Sequence, residues 1–112
     1  MPNYILKFDT EAGPRYLDWS TVVDAPITCG LTLDEFKSYY KEQFGIQGMQ
    51  DLEQRLARVD KKGTSSHIHK TRDDVLSHNR AGKHSTCLTV EQIVDFYVVR
   101  MGEGEQPKGT KP

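Results

Sequence analysis

The chain has 112 residues, of which 36% are apolar and 28% charged, and its formal net charge is −1. That length is typical of a single domain with one modest core. The two cysteines, Cys29 and Cys87, lie too far apart for a disulfide framework, and no apolar run approaches the roughly 20 residues of a membrane span. We therefore expect a soluble, cytoplasmic protein with free thiols and no membrane partner.

The N-terminal third predicts an antiparallel β-hairpin. In the run YILKFDT, the side chains of Tyr4, Leu6 and Phe8 share one face of a strand, and in RYLDWSTVV those of Leu17 and Trp19 do the same. Alternation with period two, carried by aromatic and β-branched residues, is typical of strands. The dipeptide GP between the two runs signals a turn. Since an isolated hairpin is marginal in water, its apolar face must be covered by other elements.

Two amphipathic helices follow a connector at residues 24–31 and are predicted at residues 32–44 and 49–62. The first opens with a capping-box pattern at Thr32, and Gly45 is its expected stop. Apolar residues recur at intervals of three and four along both helices. Because the link between them is short, we expect an adjacent pair, either antiparallel or angled.

The C-terminal half predicts less regular structure. Residues 71–79 are expected to form one or two helical turns. A second capping box at Thr89 opens a helix over residues 90–97, and residues 98–101 could be either helix or strand. Residues 103–112 show no periodicity and predict a disordered tail.

These elements together predict an α+β fold. A short antiparallel sheet near the N-terminus would be covered by about three helices, in a single domain over residues 1–102.

Charge is distributed unevenly along the chain. Residues 1–54 carry four basic and nine acidic side chains, whereas residues 55–88 carry eight basic and three acidic ones. The basic segment predicts a surface for an anionic or protein partner, unless it is neutralised within the fold. Tyrosine and arginine are residue types that anchor interfaces. The predicted partner-binding residues are Arg58, Lys61, Lys62, Lys70, Arg72, Arg80 and Lys83, followed by Tyr39 and Tyr40.

Catalytic and metal chemistry are less favoured by the same segment. His67, His69, His78, His84 and Cys87 would supply enough ligands for zinc, but none of the usual zinc spacings is present. The tripeptides HKT and HST match the H-x-T motif of one class of phosphoesterase. They lie too close together, in a chain too short for that fold. We therefore expect no enzyme activity, no metal and no cofactor.

Nucleic-acid binding is the alternative to a protein partner. The basic residues of segment 55–84 could line phosphates, and His78, Asn79 and Arg80 could contact bases or backbone. However, the domain as a whole is weakly acidic, and its helices do not read as a helix-turn-helix. A binder of a host or phage protein is the main hypothesis, and a homodimer remains possible.

Five stretches carry a resemblance to a known group of proteins: DWSTVVDAP, TLDEFKSYY, RLARVDKKGTSS, NRAG and LTVEQIV. Across residues 16–98 the chain resembles small proteins of actinobacteria and their phages that share a W-S-T-V-V-D-A-P strand-exit motif. The resemblance implies no activity. It implies a protein made inside a bacterial cell, where small non-enzymatic modulators of host proteins are common.

Overall fold

The computed structural model describes residues 3–65, 71–77 and 79–110. Within these ranges the chain forms a three-stranded antiparallel sheet in the order β1-β2-β3, followed by helices, which confirms the predicted α+β class. The strands are β1 (Asn3–Thr10), β2 (Gly13–Ser20) and β3 (Ala25–Pro26). The helices are α1 (Leu33–Lys62), α2 (Arg72–Leu76), a 3-10 turn at Lys83–Ser85, and α3 (Val90–Ile93), which continues into the π segment, a π-helix at Val94–Val99.

The hairpin of β1 and β2 is buried on both faces, which the alternating pattern predicted only in part. Leu6 pairs with Leu17 across the hairpin, and both belong to an apolar cluster with residues of α2, α3 and the π segment. On the opposite face, Ile5 and Tyr16 pack in a second cluster with α1. Because successive side chains of a strand point to opposite faces, each strand contributes to both clusters. The sheet therefore lies between two helical layers.

The predicted pair of helices is one element with a break at a single residue. Thr32 caps the N-terminus of α1, where its side chain and that of Glu35 form the expected capping box, and the left-handed Gly63 caps the C-terminus. Only Gly45 departs from helical geometry, with φ 67° and ψ −163°. Residues 46–48 are thus helical, and the second half of α1 begins earlier than the predicted residue 49. A glycine tolerates this backbone conformation, so the chain changes direction without a loop.

The connector and the last helix also differ from the sequence-based expectation. The connector contains β3, which pairs with β2, and Leu31 forms a separate bridge with Tyr16. α3 begins at the predicted capping box of Thr89 and Gln92. Its continuation is helical through Val99, so residues 98 and 99 belong to the π segment rather than to a strand.

Residues 103–110, for which the aperiodic sequence predicted a disordered tail, contact the rest of the fold at several points. They contain no helix or extended strand, yet Thr110 and Cys87 exchange two backbone hydrogen bonds of 2.7 and 2.9 Å. The backbone N–H of Lys83 donates to the Pro107 carbonyl at 2.9 Å, and the side chain of Gln106 donates to the Ala81 carbonyl. The segment is held by partners that are distant in sequence, which local periodicity does not reveal.

Candidate functional site

Two of the predicted partner-binding residues, Arg58 and Arg72, form contacts within the fold. Arg58 donates through Nε to the Ser65 carbonyl at 3.0 Å. The Arg72 guanidinium lies 4.5 Å from the centre of the Phe8 ring, and its Nη1 donates to the Lys7 carbonyl. A guanidinium stacked on a core aromatic ring is a fold-stabilising contact. Arg58 and Arg72 therefore hold the chain around β1, which makes them poor candidates for a free binding surface.

The other basic residues are divided between the surface and the undescribed part of the chain. Lys83 forms an exposed ion pair with Glu105, with 3.6 Å between Nζ and Oε1. Lys61 and Arg80 are exposed, and Lys62 is half-buried. Lys70 lies outside the described residues. Partner binding by Lys61, Lys62 and Arg80 stays a prediction.

The two predicted tyrosines serve the interior rather than the surface. Tyr40 is 2% exposed and belongs to the core cluster against α1, so its ring is not accessible to a partner. Tyr39 is half-buried and donates its hydroxyl to the Asp18 carboxylate at 2.5 Å. The buried ring of Tyr40 is therefore unsuited to a partner surface, whereas partner binding through the half-buried Tyr39 stays a prediction. Their helical spacing put them on neighbouring faces of α1, and both faces pack against the sheet or its edge.

Asp18 is an acidic side chain within the core. It is 1% exposed, and burial raises the pKa of its carboxyl group, although hydrogen bonds from Tyr39 and Asn3 and the charge of Arg55 act in the opposite direction. Burial raises the pKa of Tyr39, and the contact with Asp18 raises it further, since ionising the phenol beside a carboxylate is unfavourable. The pair is sheltered and internally satisfied, which indicates a structural role.

The histidines do not form a described metal site. His67, His69 and His78 lie outside the described residues, so whether they converge with Cys87 is not addressed by the structure. His84 is exposed. Among the residues that the structure does describe, no three histidine, cysteine, aspartate or glutamate side chains are grouped as metal ligands.

An apolar groove lies beside the hairpin turn, and we call it the hairpin groove. Its volume is about 730 Å³, which falls within the range of roughly 300–1,000 Å³ that ligand sites occupy. One wall is the hairpin turn, a second is the start of α1, and the third is the π segment. The lining residues are Asp9, Thr10, Glu11, Ala12, Arg15, Gly30, Thr32, Glu35, Val94, Val98, Val99 and Met101.

Gly30 brings two of these walls together. Its backbone N–H donates to the Tyr97 carbonyl at 2.9 Å, so the connector touches the π segment directly. A Cβ atom at this position would lie 3.2 Å from the Val98 Cα atom and 3.3 Å from the Arg15 Cβ atom. This approach is tighter than ordinary van der Waals contact, so only glycine fits without a shift in the surrounding backbone.

The end of the π segment and Met101, two residues beyond it, present apolar side chains to solvent at the groove. The backbone N–H of Arg100 bonds to the carbonyl of Asp95, five residues earlier, at 2.9 Å. Val99 is 61% exposed and Met101 is 43% exposed. Met101 also has a positive φ of 53°, which is uncommon for a residue other than glycine and costs stability. π turns and strained residues are enriched at functional sites, and here both occur at the same groove.

The rim of the groove is mainly acidic. Asp9, Glu11 and Glu35 contribute three carboxylates, against the single guanidinium of Arg15. The carboxylate of Glu35 accepts from the Thr32 backbone N–H at 2.9 Å within the capping box, and this hydrogen bond lowers its pKa, with a smaller contribution from Arg15. Asp9 and Glu11 are exposed and form no ion pair with the residues that the structure describes.

The sequence did not predict this groove, because its walls come from three segments that lie far apart along the chain. The one available signal was the aliphatic and aromatic run FYVVRM, in which a regular helix would bury only one stripe. That run was ambiguous between helix and strand, and the exposed residues at its end belong to the π segment and the residues that follow it.

Comparison with known proteins adds no relative. No protein-family model, curated protein or solved structure matches the chain at a significant level. The suggested resemblance to actinobacterial and phage proteins therefore stays a prediction. Across the described residues, the helices are either too short or too polar to cross a lipid bilayer.

Proposed function

We propose that the protein is a non-enzymatic interaction protein that binds an apolar segment of a partner protein in the hairpin groove. The observation that carries the proposal is the exposure of Val99 and Met101 along an apolar groove of about 730 Å³. Covering apolar surface of this kind is favourable by roughly 25 cal/mol per Å². A partner segment that inserts one or two aliphatic side chains would remove both residues from water.

The groove suits a peptide segment better than a reaction centre. Its floor is aliphatic, and one of its polar groups, the Glu35 carboxylate, already serves as the cap of α1. Helices and extended segments bind such grooves through a few spaced apolar anchors.

The test uses peptide selection with matched variants. A library of random peptides about twelve residues long, which spans the anchor spacing of a bound helix or strand, is selected against the protein. The enriched peptides are then titrated by fluorescence anisotropy against the native chain, Val99→Asp and Ile46→Asp. Val99 lines the groove, whereas Ile46, an aliphatic residue that is 76% exposed, does not.

We expect Val99→Asp to weaken peptide binding by at least about tenfold, equivalent to about 1.4 kcal/mol. Ile46→Asp should stay within about twofold of the native chain, because exposed substitutions outside the site change little. Circular dichroism and thermal melting check that both variants fold. Equal binding by the two variants, or no enrichment of any peptide, would contradict the proposal.

Nucleic-acid binding, the alternative raised by the basic segment, has less support. Arg58 and Arg72 bond within the fold, and Lys83 pairs with Glu105. The cytoplasmic location, the bacterial or phage origin of the partner and the modulation of a host protein stay predictions.

A further inference from the structure

The acidic rim of the hairpin groove narrows the class of partner. We infer that the segment bound there is cationic as well as apolar, with a lysine or arginine placed next to its aliphatic anchors. This inference rests on the proposed function of the groove. It adds the sign of charge that the partner must carry.

The argument begins with the balance of charge at the groove. Three carboxylates and one guanidinium line it. Arg15 acts on Glu35 and contributes to the lowered pKa of that carboxyl group. The Glu35 carboxylate is also hydrogen-bonded to the Thr32 backbone N–H, whereas Asp9 and Glu11 are exposed residues of the lining.

Asp9 and Glu11 are placed to receive a charge from outside. Both are exposed, and both lie at the end of the hairpin, Asp9 as the second-last residue of β1 and Glu11 in the turn that follows. Lys7 interacts electrostatically with Asp9, but its ammonium group is hydrogen-bonded to Asp60 at 3.2 Å. A partner cation at the mouth would thus meet two carboxylates whose charges the described residues leave uncompensated by an ion pair.

The apolar wall of the groove determines which uncharged side chains of the partner segment fit beside its cation. Val94, Val98 and Val99 line one wall, and a segment of mixed character would place its aliphatic side chains there. Opposite charges across an interface set which partner is accepted more than they set raw affinity. The same carboxylates repel phosphates and carboxylates, so the groove rejects nucleic acids and fatty acids while it accepts a basic, amphipathic peptide.

The experiment compares peptide selections against three forms of the full chain. One is the native protein, the second is the double variant Asp9→Lys/Glu11→Lys, and the third is the control Glu42→Lys/Glu53→Lys. Glu42 and Glu53 are exposed residues of α1 outside the groove, so the control makes the same change in net charge. Melting curves confirm that all three chains fold.

We expect the native chain and the control to enrich peptides that combine aliphatic residues with lysine or arginine. The groove variant should lose this preference and bind the native-selected peptides at least about tenfold more weakly at low salt. The difference should shrink as salt rises, since exposed charges are screened.

Each other outcome has a distinct meaning. Enrichment of apolar peptides without charge bias, or of acidic ones, would overturn the inference and leave the groove as a binding site. No enrichment by any of the three chains would overturn the proposed function as well. A concentration-dependent dimer, seen by sedimentation and dissociated by the groove variant but not by the control, would place a second copy of the chain in the groove and refute a separate cationic partner.

Discussion

Tyr40 carries a hydroxyl group that the described fold leaves without a hydrogen-bond partner. The residue is 2% exposed, and its hydroxyl oxygen is buried. Burying an unpaired hydroxyl group costs roughly 1–3 kcal/mol. Tyr40→Phe removes that group and keeps the ring. We therefore expect the free energy of unfolding either to stay unchanged or to rise by up to about 1 kcal/mol. Urea denaturation measures the difference.

A matched substitution at the neighbouring residue should have the opposite sign. Tyr39→Phe removes a hydroxyl that donates to Asp18 at 2.5 Å, and so it leaves a buried carboxylate with one fewer donor. We expect this substitution to lower the free energy of unfolding by about 1–3 kcal/mol. Equal destabilisation by the two substitutions would show that Tyr40 has a partner after all, such as an ordered water.

Asp18 makes the stability of the protein depend on pH. Burial raises the pKa of its carboxyl group above the unfolded value, so between those two pKa values the folded state binds more protons than the unfolded state. The contribution of Asp18 to stability therefore falls as pH rises through that interval, and it stays at its lower value above the folded pKa. Burying the ionised carboxylate is the cause.

Asp18→Asn keeps the shape of the side chain and an acceptor oxygen for Tyr39 but cannot ionise. We expect the stability of this variant relative to the native chain to be greater at pH 7 than at acidic pH, because the raised pKa of Asp18 favours its protonated form in the folded chain as the pH falls. Urea denaturation of both chains at the two pH values measures this difference. A relative stability that is constant with pH, or that moves in the other direction, would show that Asp18 does not titrate as its burial implies.

At the scale of elements, the break in α1 depends on one residue. Gly45 has φ 67° and ψ −163°, a region that is essentially restricted to glycine. A Cβ atom there would meet no other atom within 4 Å, so backbone strain alone opposes a substitution. We expect Gly45→Ala to lower the free energy of unfolding by about 1–3 kcal/mol. Alanine in a regular helix would instead stabilise it by about 1 kcal/mol over glycine.

Whether Gly45→Ala lowers or raises the free energy of unfolding distinguishes a strained break from a regular helix. The control Ile46→Ala places alanine at an exposed helical position beside the break and should change stability by no more than about 0.5 kcal/mol. If Gly45→Ala stabilises the protein, the two halves of α1 form a straight helix at that residue and the break is not an intrinsic feature of the fold.

Elements that depend on local pattern were predicted from the sequence, and those that depend on distant contacts were not. The faces of β1 and β2 follow from alternation, and the starts of α1 and α3 follow from the capping boxes at Thr32 and Thr89. The π segment was not predicted, and it is bonded to a part of the chain that is distant in sequence, since the Gly30 N–H donates to the Tyr97 carbonyl. The hairpin groove inherits this dependence, because its walls meet only in the folded chain.

At the scale of the whole molecule, residues 103–110 contact the domain, although their sequence alone predicted a tail. Gly109 passes so close to Cys87 that a Cβ atom there would overlap the carbonyl group, and its N–H donates to the Thr86 hydroxyl at 2.8 Å. Together with the paired bonds of Thr110, this contact covers one side of Leu88, a core residue. An ordered segment must gain more from such contacts than it loses in backbone entropy.

Truncation tests whether this segment belongs to the domain. A chain that ends at Gly102 should unfold with a free energy lower by at least about 1 kcal/mol, the contribution of a typical hydrogen bond, than a chain that ends at Thr110. Gly109→Ala in the full chain should act in the same direction, while Lys108→Ala, at an exposed position, should have little effect.

A second measurement follows the thiol of Cys87, which is half-buried beside Thr110. In a Cys29→Ser background it is the only thiol, and its rate of reaction with a disulfide reagent reports access to the Cys87 side of the molecule. Detaching the segment by truncation or by Gly109→Ala should raise that rate, whereas Lys108→Ala should not. If the chain that ends at Gly102 has the same stability and the same thiol reactivity as the longer one, residues 103–110 are a free tail, as their composition first indicated, and the core closes without them.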